Sequence, residues 1–146
     1  MQFSLEEIEE IVKEDLMPHL DKYTIFAFTG PLGAGKTTII KEFFRQAGVE
    51  EVVTSPTFTY VKHYTSQDGK MFNHFDLYRL SKIDSFLALG FDEYLYDENS
   101  WSVIEWPEVI NDLLQGSAIS RRVLHVKLDY VEGDLEKRSL ETHKLT

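Results

Sequence analysis

The chain has 146 residues, of which 42% are hydrophobic and 13% aromatic, and its sequence contains no cysteine. This composition predicts one globular domain over residues 1–146 and excludes disulfides, thiolate metal sites and a cysteine nucleophile. The formal net charge of -10 argues against direct binding to a nucleic acid, because lysine and arginine supply most of that affinity.

The amino-terminal segment shows no export signal. Its first residues, MQFSLEEIEE, have neither the basic start nor the apolar centre of a secretory signal. No run of the sequence approaches the ~20 apolar residues of a membrane span. We therefore expect a cytoplasmic protein with no membrane partner.

The first predicted element is an amphipathic helix. Apolar residues recur at helical spacing over residues 5–16. Ser4 fits the N-cap position, and Glu7, three residues later, completes a capping box. The helix is expected to end near Pro18, because proline cannot continue a helix.

A buried strand and a second helix follow. Residues 23–28, YTIFAF, are apolar without alternation, which is typical of a central parallel strand covered on both faces. Residues 35–48, GKTTIIKEFFRQAG, return to helical spacing and stop at a glycine. The segment that joins them therefore lies between a strand and a helix.

The middle of the chain predicts a β-hairpin and two short helices. Residues 57–65 and 70–78 flank the pair Asp68-Gly69, which is a strong short-range turn signal. Residues 82–90, KIDSFLALG, predict a short helix ended by its last glycine, and residues 91–96 predict another helical turn.

The last third predicts three more strands and a helix. Residues 101–106, WSVIEW, form a second buried strand, and Pro107 suits the first turn of a helix through residue 116. Residues 121–130 alternate as a half-buried strand, and after a turn a last strand lies near residues 137–145. Helices and strands therefore alternate, and the hairpins make the predicted sheet mixed.

The segment between the central strand and its helix reads GPLGAGKTT. Gly30, Gly35, Lys36 and Thr37 fit the spacing G-x-x-x-x-G-K-[ST] in the required strand-to-helix setting. Glycines let successive backbone N–H groups converge on an anion, and the helix N-terminus adds about half a positive charge. Lys36 would supply a full charge for the β- and γ-phosphates, and the Thr37 hydroxyl would ligate Mg²⁺. This pattern predicts a nucleotide phosphate site.

Two acidic residues are candidates for serving the metal ion and the attacking water. Glu105 closes the strand WSVIE, and Asp76 follows MFNHF. An unpaired carboxylate at the end of an apolar strand is costly unless a cation or hydrogen-bond donors meet it. One could hold the metal while the other orients the water, and the pattern leaves the assignment open. A helix cap or a loop salt bridge is the alternative for each.

Weaker signals come from Thr57, Trp106 and the histidines. Thr57 lies in the hydroxyl-rich segment TSPTFTY, which fits a γ-phosphate sensor or a self-capping turn. Trp106 could stack on adenine or belong to the core. The five histidines form no H-x-x-x-H pair, so we expect them at the surface or in hairpins.

Five segments together resemble the bacterial TsaE family, the small ATPases needed to make threonylcarbamoyladenosine in tRNA. In chain order they are GPLGAGKTT, SPTFTYV, HFDLYRL, LGFDEYL and VIEWPE. The resemblance implies an α/β fold of the P-loop NTPase type, with three layers and a mixed, mostly parallel central sheet. It also implies Mg²⁺-dependent ATP binding and slow hydrolysis. The sequence departs from the family at Pro31 and Ser85, where acidic residues are common.

The resemblance also implies roles by position. The phosphates would be held by Leu32, Gly33, Ala34, Gly35, Lys36, Thr37 and Thr38. Thr37 and Glu105 would serve Mg²⁺, Trp106 would border the nucleotide base, and Thr57 would lie in a switch-like loop. Lys36, Asp76, Glu105 and Thr57 would form the catalytic set. The implied partners are the threonylcarbamoyl-transferring subunit and its paralogous scaffold, through which alone the protein would reach tRNA.

Two other functions fit the phosphate loop. A small-molecule P-loop kinase would need an acceptor pocket and usually an arginine-rich lid, and Arg79 is the one arginine near the motifs before Arg121. An ATP-dependent assembly module would need nucleotide occupancy but no turnover. A GTPase is disfavoured, because the sequence has no N-K-x-D-like segment.

Overall fold

The computed structural model describes residues 1–56 and 58–144, which form strands and helices that alternate along the chain. The strands are β1 Gln2–Ser4, β2 Ile25–Thr29, β3 Val61–Thr65, β4 Met71–Asp76, β5 Ser100–Glu105, β6 Val123–Val131 and β7 Asp134–Lys144. The α-helices are α1 Ile8–Asp15, α2 Lys36–Gln46, α3 Ile83–Ala88, α4 Asp92–Tyr96 and α5 Asn111–Leu114. Short 3₁₀ helices cover Leu5–Glu7, Met17–Asp21, Pro107–Ile110 and Ser120–Arg122.

The strands form one mixed sheet in the order β1-β7-β6-β2-β5-β4-β3. The central strands β6, β2, β5 and β4 pair in parallel. Antiparallel pairs extend the sheet at both sides, with β3 on β4, and with β7 on β6 and β1 on β7. This arrangement confirms the mixed α/β fold that the resemblance implied.

Helices cover both faces of the sheet, giving the three layers. Along β2, Phe26 and Phe28 pack with α1 and α2, whereas Ile25 and Ala27 pack with α3, α4 and the segment after β5. All four side chains are almost completely buried. Successive side chains of a strand point to opposite faces, so an uninterrupted apolar run is required where both faces are covered. The predicted central strand is therefore confirmed.

The amino-terminal region follows the prediction with one addition. The backbone N–H of Ser4 donates to Glu7 Oε1 at 2.9 Å and the Ser4 hydroxyl donates to the same oxygen at 3.0 Å, so the capping pair forms. The helix begins as a 3₁₀ turn, continues as α1, and gives way to the 3₁₀ helix that contains Pro18. Strand β1, which the sequence did not predict, precedes it and places Phe3 opposite Arg138 of β7.

The middle and end of the chain agree with the predicted elements, except that the strand predicted as half-buried, β6, is buried at every residue from 123 to 126. The hairpin β3–β4 turns at residues 66–69, where the Gly69 N–H bonds the Ser66 carbonyl at 3.0 Å. The helix that Pro107 starts is a 3₁₀ turn that runs into α5. No helix in residues 1–56 or 58–144 has both the length and the hydrophobicity to cross a membrane.

Candidate nucleotide site

The glycine-rich loop leaves the carboxyl end of β2 and leads directly into α2. Gly30 has a φ of 148°, and a Cβ built there would lie 2.3 Å from the carbonyl oxygen of Leu128 in β6. Gly33 has a φ of 77°, and its Cβ would lie 2.9 Å from the hydroxyl of Tyr130. A side chain at Gly30 would collide with the backbone of β6, and one at Gly33 would displace the Tyr130 hydroxyl of the hairpin β6–β7. The sequence therefore uses glycine where the loop passes close to that hairpin.

Lys36 begins α2, and its side chain folds back under the loop. Its ammonium group donates to the carbonyl oxygens of Gly30 at 2.5 Å and Pro31 at 3.0 Å. The same group lies 4.1 Å from the ring centroid of Trp106. Lys36 is only 5% exposed, and burial lowers the pKa of its ammonium group, while the carboxylate of Glu105 opposes that shift. A cation that the fold partly desolvates attracts an anion more strongly than a solvated one.

Glu105 ends β5 and is only 3% exposed, yet donors surround its carboxylate. The Thr37 hydroxyl donates to Oε1 at 2.9 Å, and His74 Nε2 donates to Oε2 at 2.8 Å. The Ser55 hydroxyl also donates to Oε2, at 3.4 Å. Charge-assisted hydrogen bonds of this kind offset the cost of burying a carboxylate.

Asp76 ends β4 and lies opposite Glu105 in the parallel register of β4 and β5. Its Oδ1 accepts the backbone N–H of Tyr78 at 3.1 Å. Burial raises the pKa of Asp76 above its usual value, the Tyr78 N–H lowers it, and the neighbouring Glu105 charge raises it. The two carboxylates that the sequence singled out therefore end adjacent strands beside the loop.

Most of the predicted site residues line one cavity of about 360 Å³. It is bordered by Leu32, Gly33, Gly35, Lys36, Thr37, Thr38, Asp76, Tyr78, Glu105 and Trp106. It opens at the carboxyl ends of parallel strands, where ligands of open α/β sheets bind. Thr57 lies outside the described residues.

A second cavity of about 740 Å³ lies against the loop. The loop residues Gly33, Ala34, Gly35 and Thr38 form one of its walls. The segment 3–8 and three residues of β7, Leu135, Glu136 and Arg138, form the others. The loop is therefore shared by two neighbouring cavities, and Ala34 lines the larger one.

Trp106 follows Glu105 in a left-handed conformation with a φ of 58°. This conformation is uncommon for a residue other than glycine and is frequent at functional sites. Its ring packs on Tyr78, with centroids 5.0 Å apart, and faces the Lys36 ammonium. Trp106 therefore borders the cavity that contains Lys36 and the two carboxylates.

Two residues that contact Glu105 were not singled out as site residues by the sequence. His74 was expected at the surface or in a hairpin; it does lie in the hairpin strand β4, but it is fully buried. Ser55 was one of several hydroxyl residues in TSPTFTY, and its hydroxyl lies 3.4 Å from that of Thr37. A usable signal for His74 is its position two residues before Asp76, which puts both side chains on one face of β4.

Thr37 and Glu105 have the chemistry that Mg²⁺ requires. Both present oxygen atoms, which this hard cation prefers, and the two side chains already lie within 2.9 Å of each other. Mg²⁺ is usually bound by one or two carboxylates together with substrate phosphates. The residues present therefore fit a magnesium ion delivered with a nucleotide.

Comparisons with known proteins converge on one family. Residues 4–139 match the family model of "Threonylcarbamoyl adenosine biosynthesis protein TsaE". The chain is 35% identical over 114 residues to the tRNA threonylcarbamoyladenosine biosynthesis protein TsaE of Haemophilus influenzae, covering 78% of this chain and 68% of that protein. The chain is 36% identical over 110 residues to the protein of the same name from Synechocystis sp., and the match covers 68% of this chain and 64% of that protein.

A third relative and a solved structure extend the comparison to Bacillus subtilis. The TsaE protein of that organism is 38% identical over 91 residues, covering 62% of this chain and 54% of the relative. The crystal structure of its YdiB aligns with a TM-score of 0.63 and 27% identity, covering 96% of this chain and 82% of that one. The matched segments thus span between 54% and 68% of the three sequence relatives.

Proposed function

The chain belongs to the TsaE family of tRNA threonylcarbamoyladenosine biosynthesis proteins, and from this premise we propose that it binds and hydrolyses ATP with Mg²⁺. The observation that carries the proposal is the bond of 2.9 Å between the Thr37 hydroxyl and the Glu105 carboxylate. It joins the first turn of the helix after the glycine-rich loop to the end of the neighbouring strand β5. A nucleotide phosphate chain on the loop would meet both groups of the pair.

The loop would hold the phosphates through its backbone N–H groups and through Lys36. The Lys36 ammonium already donates to two loop carbonyls, so it lies inside the concavity that an anion would enter. Its partial burial strengthens its attraction for phosphate oxygens. Bound Mg²⁺ would neutralise charge on the β- and γ-phosphates and stabilise the charge that develops during phosphoryl transfer.

The two carboxylates would divide the remaining work. Glu105 is fixed by Thr37 and His74, which suits a metal-serving group whose geometry must be constant. Asp76 carries a raised pKa, lies at the end of the adjacent strand and lines the same cavity. We assign it the orientation of the attacking water, for which a carboxylate within hydrogen-bond reach is required.

The larger cavity would accept the rest of the nucleotide. Gly33, Gly35 and Thr38 line both cavities, so phosphates in the smaller one leave the ribose and base on the side of the larger one. Its volume of about 740 Å³ lies within the range of about 300–1,000 Å³ usual for small-molecule sites. The predicted contact of Trp106 with the base stays a prediction, because Trp106 borders the smaller cavity.

ATP hydrolysis would serve a tRNA-modifying assembly and not a small-molecule acceptor. The relatives' names place them in threonylcarbamoyladenosine biosynthesis, and the net charge of -10 disfavours direct contact with tRNA. We propose that the partners are the threonylcarbamoyl-transferring subunit and its paralogous scaffold, which would hold the tRNA.

The test measures ATP hydrolysis by the purified protein alone and with these two partners, with Lys36→Ala and Glu105→Ala as variants. Stimulation by the partners that both variants lose would support the proposal. Phosphate transfer to a small acceptor would instead indicate a kinase. Variants that no longer hydrolyse ATP but still sustain modification would indicate an assembly module in which occupancy alone matters.

A further inference from the structure

The proposed function gives His74 no direct contact with nucleotide or metal, although its side chain contacts the Glu105 carboxylate of the site. It lies in β4 with its side chain completely buried. Its Nε2 is 2.8 Å from Glu105 Oε2. Because a carboxylate oxygen can only accept, the proton of this bond belongs to Nε2 of the ring.

The hydrogen bonds to Glu105 fix both oxygens of the carboxylate from different elements. Thr37 of α2 donates to Oε1, and His74 of β4 donates to Oε2. Rotation of the carboxylate plane out of this orientation about its last torsion would break both bonds. With both in place, one orientation of the carboxylate is selected before any ligand arrives.

The imidazole ring is itself held by its surroundings. The ring of Phe44 in α2 meets it edge-on, with centroids 5.8 Å apart and planes at 88°, and Phe44 is fully buried. The other ring nitrogen, Nδ1, is buried and has no hydrogen-bond partner among residues 1–56 and 58–144. The packing therefore leaves the bond to Glu105 as the polar contact that orients the ring.

We propose that His74 is a positioning residue, which holds the Glu105 carboxylate in the orientation needed to serve the magnesium of a bound nucleotide. This inference rests on the proposed function of the site. A partner that orients a metal-serving carboxylate contributes about 10- to 100-fold to metal affinity. The role is separate from nucleotide recognition, because His74 does not line either cavity at the loop.

Three variants isolate this role. His74→Phe keeps an aromatic ring against Phe44 but removes the donor. His74→Gln restores an amide N–H at about the reach of Nε2. His125→Phe is the matched control, because His125 of β6 is another buried histidine of the same sheet with an unpartnered nitrogen among the described residues, and it does not line the site cavity.

Binding of a non-hydrolysable ATP analogue is measured by calorimetry across a Mg²⁺ titration. His74→Phe is expected to raise the half-saturating Mg²⁺ concentration by about 10- to 100-fold, with metal-free nucleotide binding unchanged. His74→Gln should return to within a few-fold of wild type, and His125→Phe should match wild type. An unchanged Mg²⁺ dependence in His74→Phe, or a Gln variant as impaired as the Phe variant, overturns the inference.

A second measurement uses the wild-type protein without ligand. Long-range ¹H–¹⁵N NMR of the histidine side chains should show the His74 proton on Nε2, with that signal altered in Glu105→Gln. A ring with no proton on Nε2 overturns the inference even where the Phe variant fails to fold. Wild-type protein that takes up no magnesium nucleotide would overturn the proposed function, whereas the unchanged Mg²⁺ dependence described above overturns the role of His74 alone.

Discussion

Lys36 shows how one residue is held in a conformation that suits binding and not stability. Lys36 is almost completely buried, and burial lowers the pKa of its ammonium group. A base whose pKa is lower in the folded state than in the unfolded state costs stability at any pH where it is still protonated. The carbonyls of Gly30 and Pro31 and the ring of Trp106 offset part of that cost.

Lys36→Met should therefore separate binding from folding. We expect magnesium nucleotide to bind about 10- to 100-fold more weakly, the loss of a hydrogen-bonded charge being about 1.5–3 kcal/mol. The melting temperature at neutral pH should not fall, because a desolvated charge is removed. Calorimetry and thermal unfolding measure the two effects, with the exposed Lys41 of the same helix as control in Lys41→Met. A weaker fold with unchanged affinity would contradict this account.

Asp76 gives a pH-dependent prediction. Burial raises its pKa in the folded state, so its contribution to stability is complete below the unfolded pKa of about 3.9 and is lost as the pH rises through the folded value. Asp76→Asn should raise the free energy of unfolding at neutral pH, and the gain should vanish below about pH 3.9. Urea unfolding at both pH values measures it, and the exposed Asp21 provides the control Asp21→Asn. A gain that persists at the lower pH would show that charge is not the cause.

The sequence predicted those site residues whose pattern lies within a short stretch of the chain. The spacing of Gly30, Lys36 and Thr37 is contained in nine residues, and the ends of parallel strands pointed to Asp76 and Glu105. His74 and Ser55 were not predicted as site residues, because their contacts with Glu105 span 31 and 50 residues of the chain. A contact of that kind depends on strand order and register, which composition and spacing do not contain.

Among the secondary-structure elements, the hairpin β6–β7 packs directly against the glycine-rich loop. Leu128 of β6 presents its carbonyl to Gly30, and the Tyr130 hydroxyl donates to the carbonyl of Leu32. The ring of Tyr130 lies under the guanidinium of Arg138 in β7, 4.6 Å from the ring centroid. The loop is thus held between its own helix and a hairpin that lies about a hundred residues later in the chain.

Gly30→Ala should test this support. The new Cβ would lie 2.3 Å from the Leu128 carbonyl oxygen, and the φ of 148° is unfavourable for alanine. Gly69→Ala is the matched control, because Gly69 also has an unfavourable φ for alanine, 87°, but its added Cβ would lie in open space. The backbone strain alone should lower the free energy of unfolding by about 1–2 kcal/mol. We expect Gly30→Ala to lower the free energy of unfolding, measured in urea, by more than this amount and to weaken nucleotide binding. The control Gly69→Ala should leave nucleotide binding intact. Equal losses in the two variants would show that the hairpin does not confine the loop.

Elements with a recurring apolar pattern or a turn signal were predictable, and the three-residue strand β1 was not. Strand β2 and helix α2 each carry an apolar pattern long enough to identify them, and the hairpin β3–β4 carries a turn signal. Strand β1 has three residues and pairs with β7 at the far end of the chain. Its formation follows from the edge that β7 presents and not from its own sequence, so no local pattern could indicate it.

The net charge of the protein affects how the entire molecule approaches a nucleic acid. The net charge of -10 opposes approach to a polyanion, since non-specific binding depends on neutralising phosphates with cations. We expect the isolated protein to bind tRNA more weakly than a dissociation constant of about 10⁻⁴ M at physiological salt, and to join tRNA in the presence of its partners. Fluorescence anisotropy with labelled tRNA measures both. Tight binding by the isolated chain would contradict the indirect contact proposed here.

The ring of Trp106 over the Lys36 ammonium, 4.1 Å from its centroid, gives the protein an optical reporter. Indole emission is sensitive to a neighbouring charge, so an anion that pairs with this ammonium changes the quantum yield of Trp106. The chain has only two tryptophans, and the other, Trp101, lies near the opposite end of β5 with its Nε1 bonded to the Leu20 carbonyl at 3.1 Å. In a Trp101→Phe background the remaining emission would follow occupancy of the phosphate cavity in real time, without any added dye.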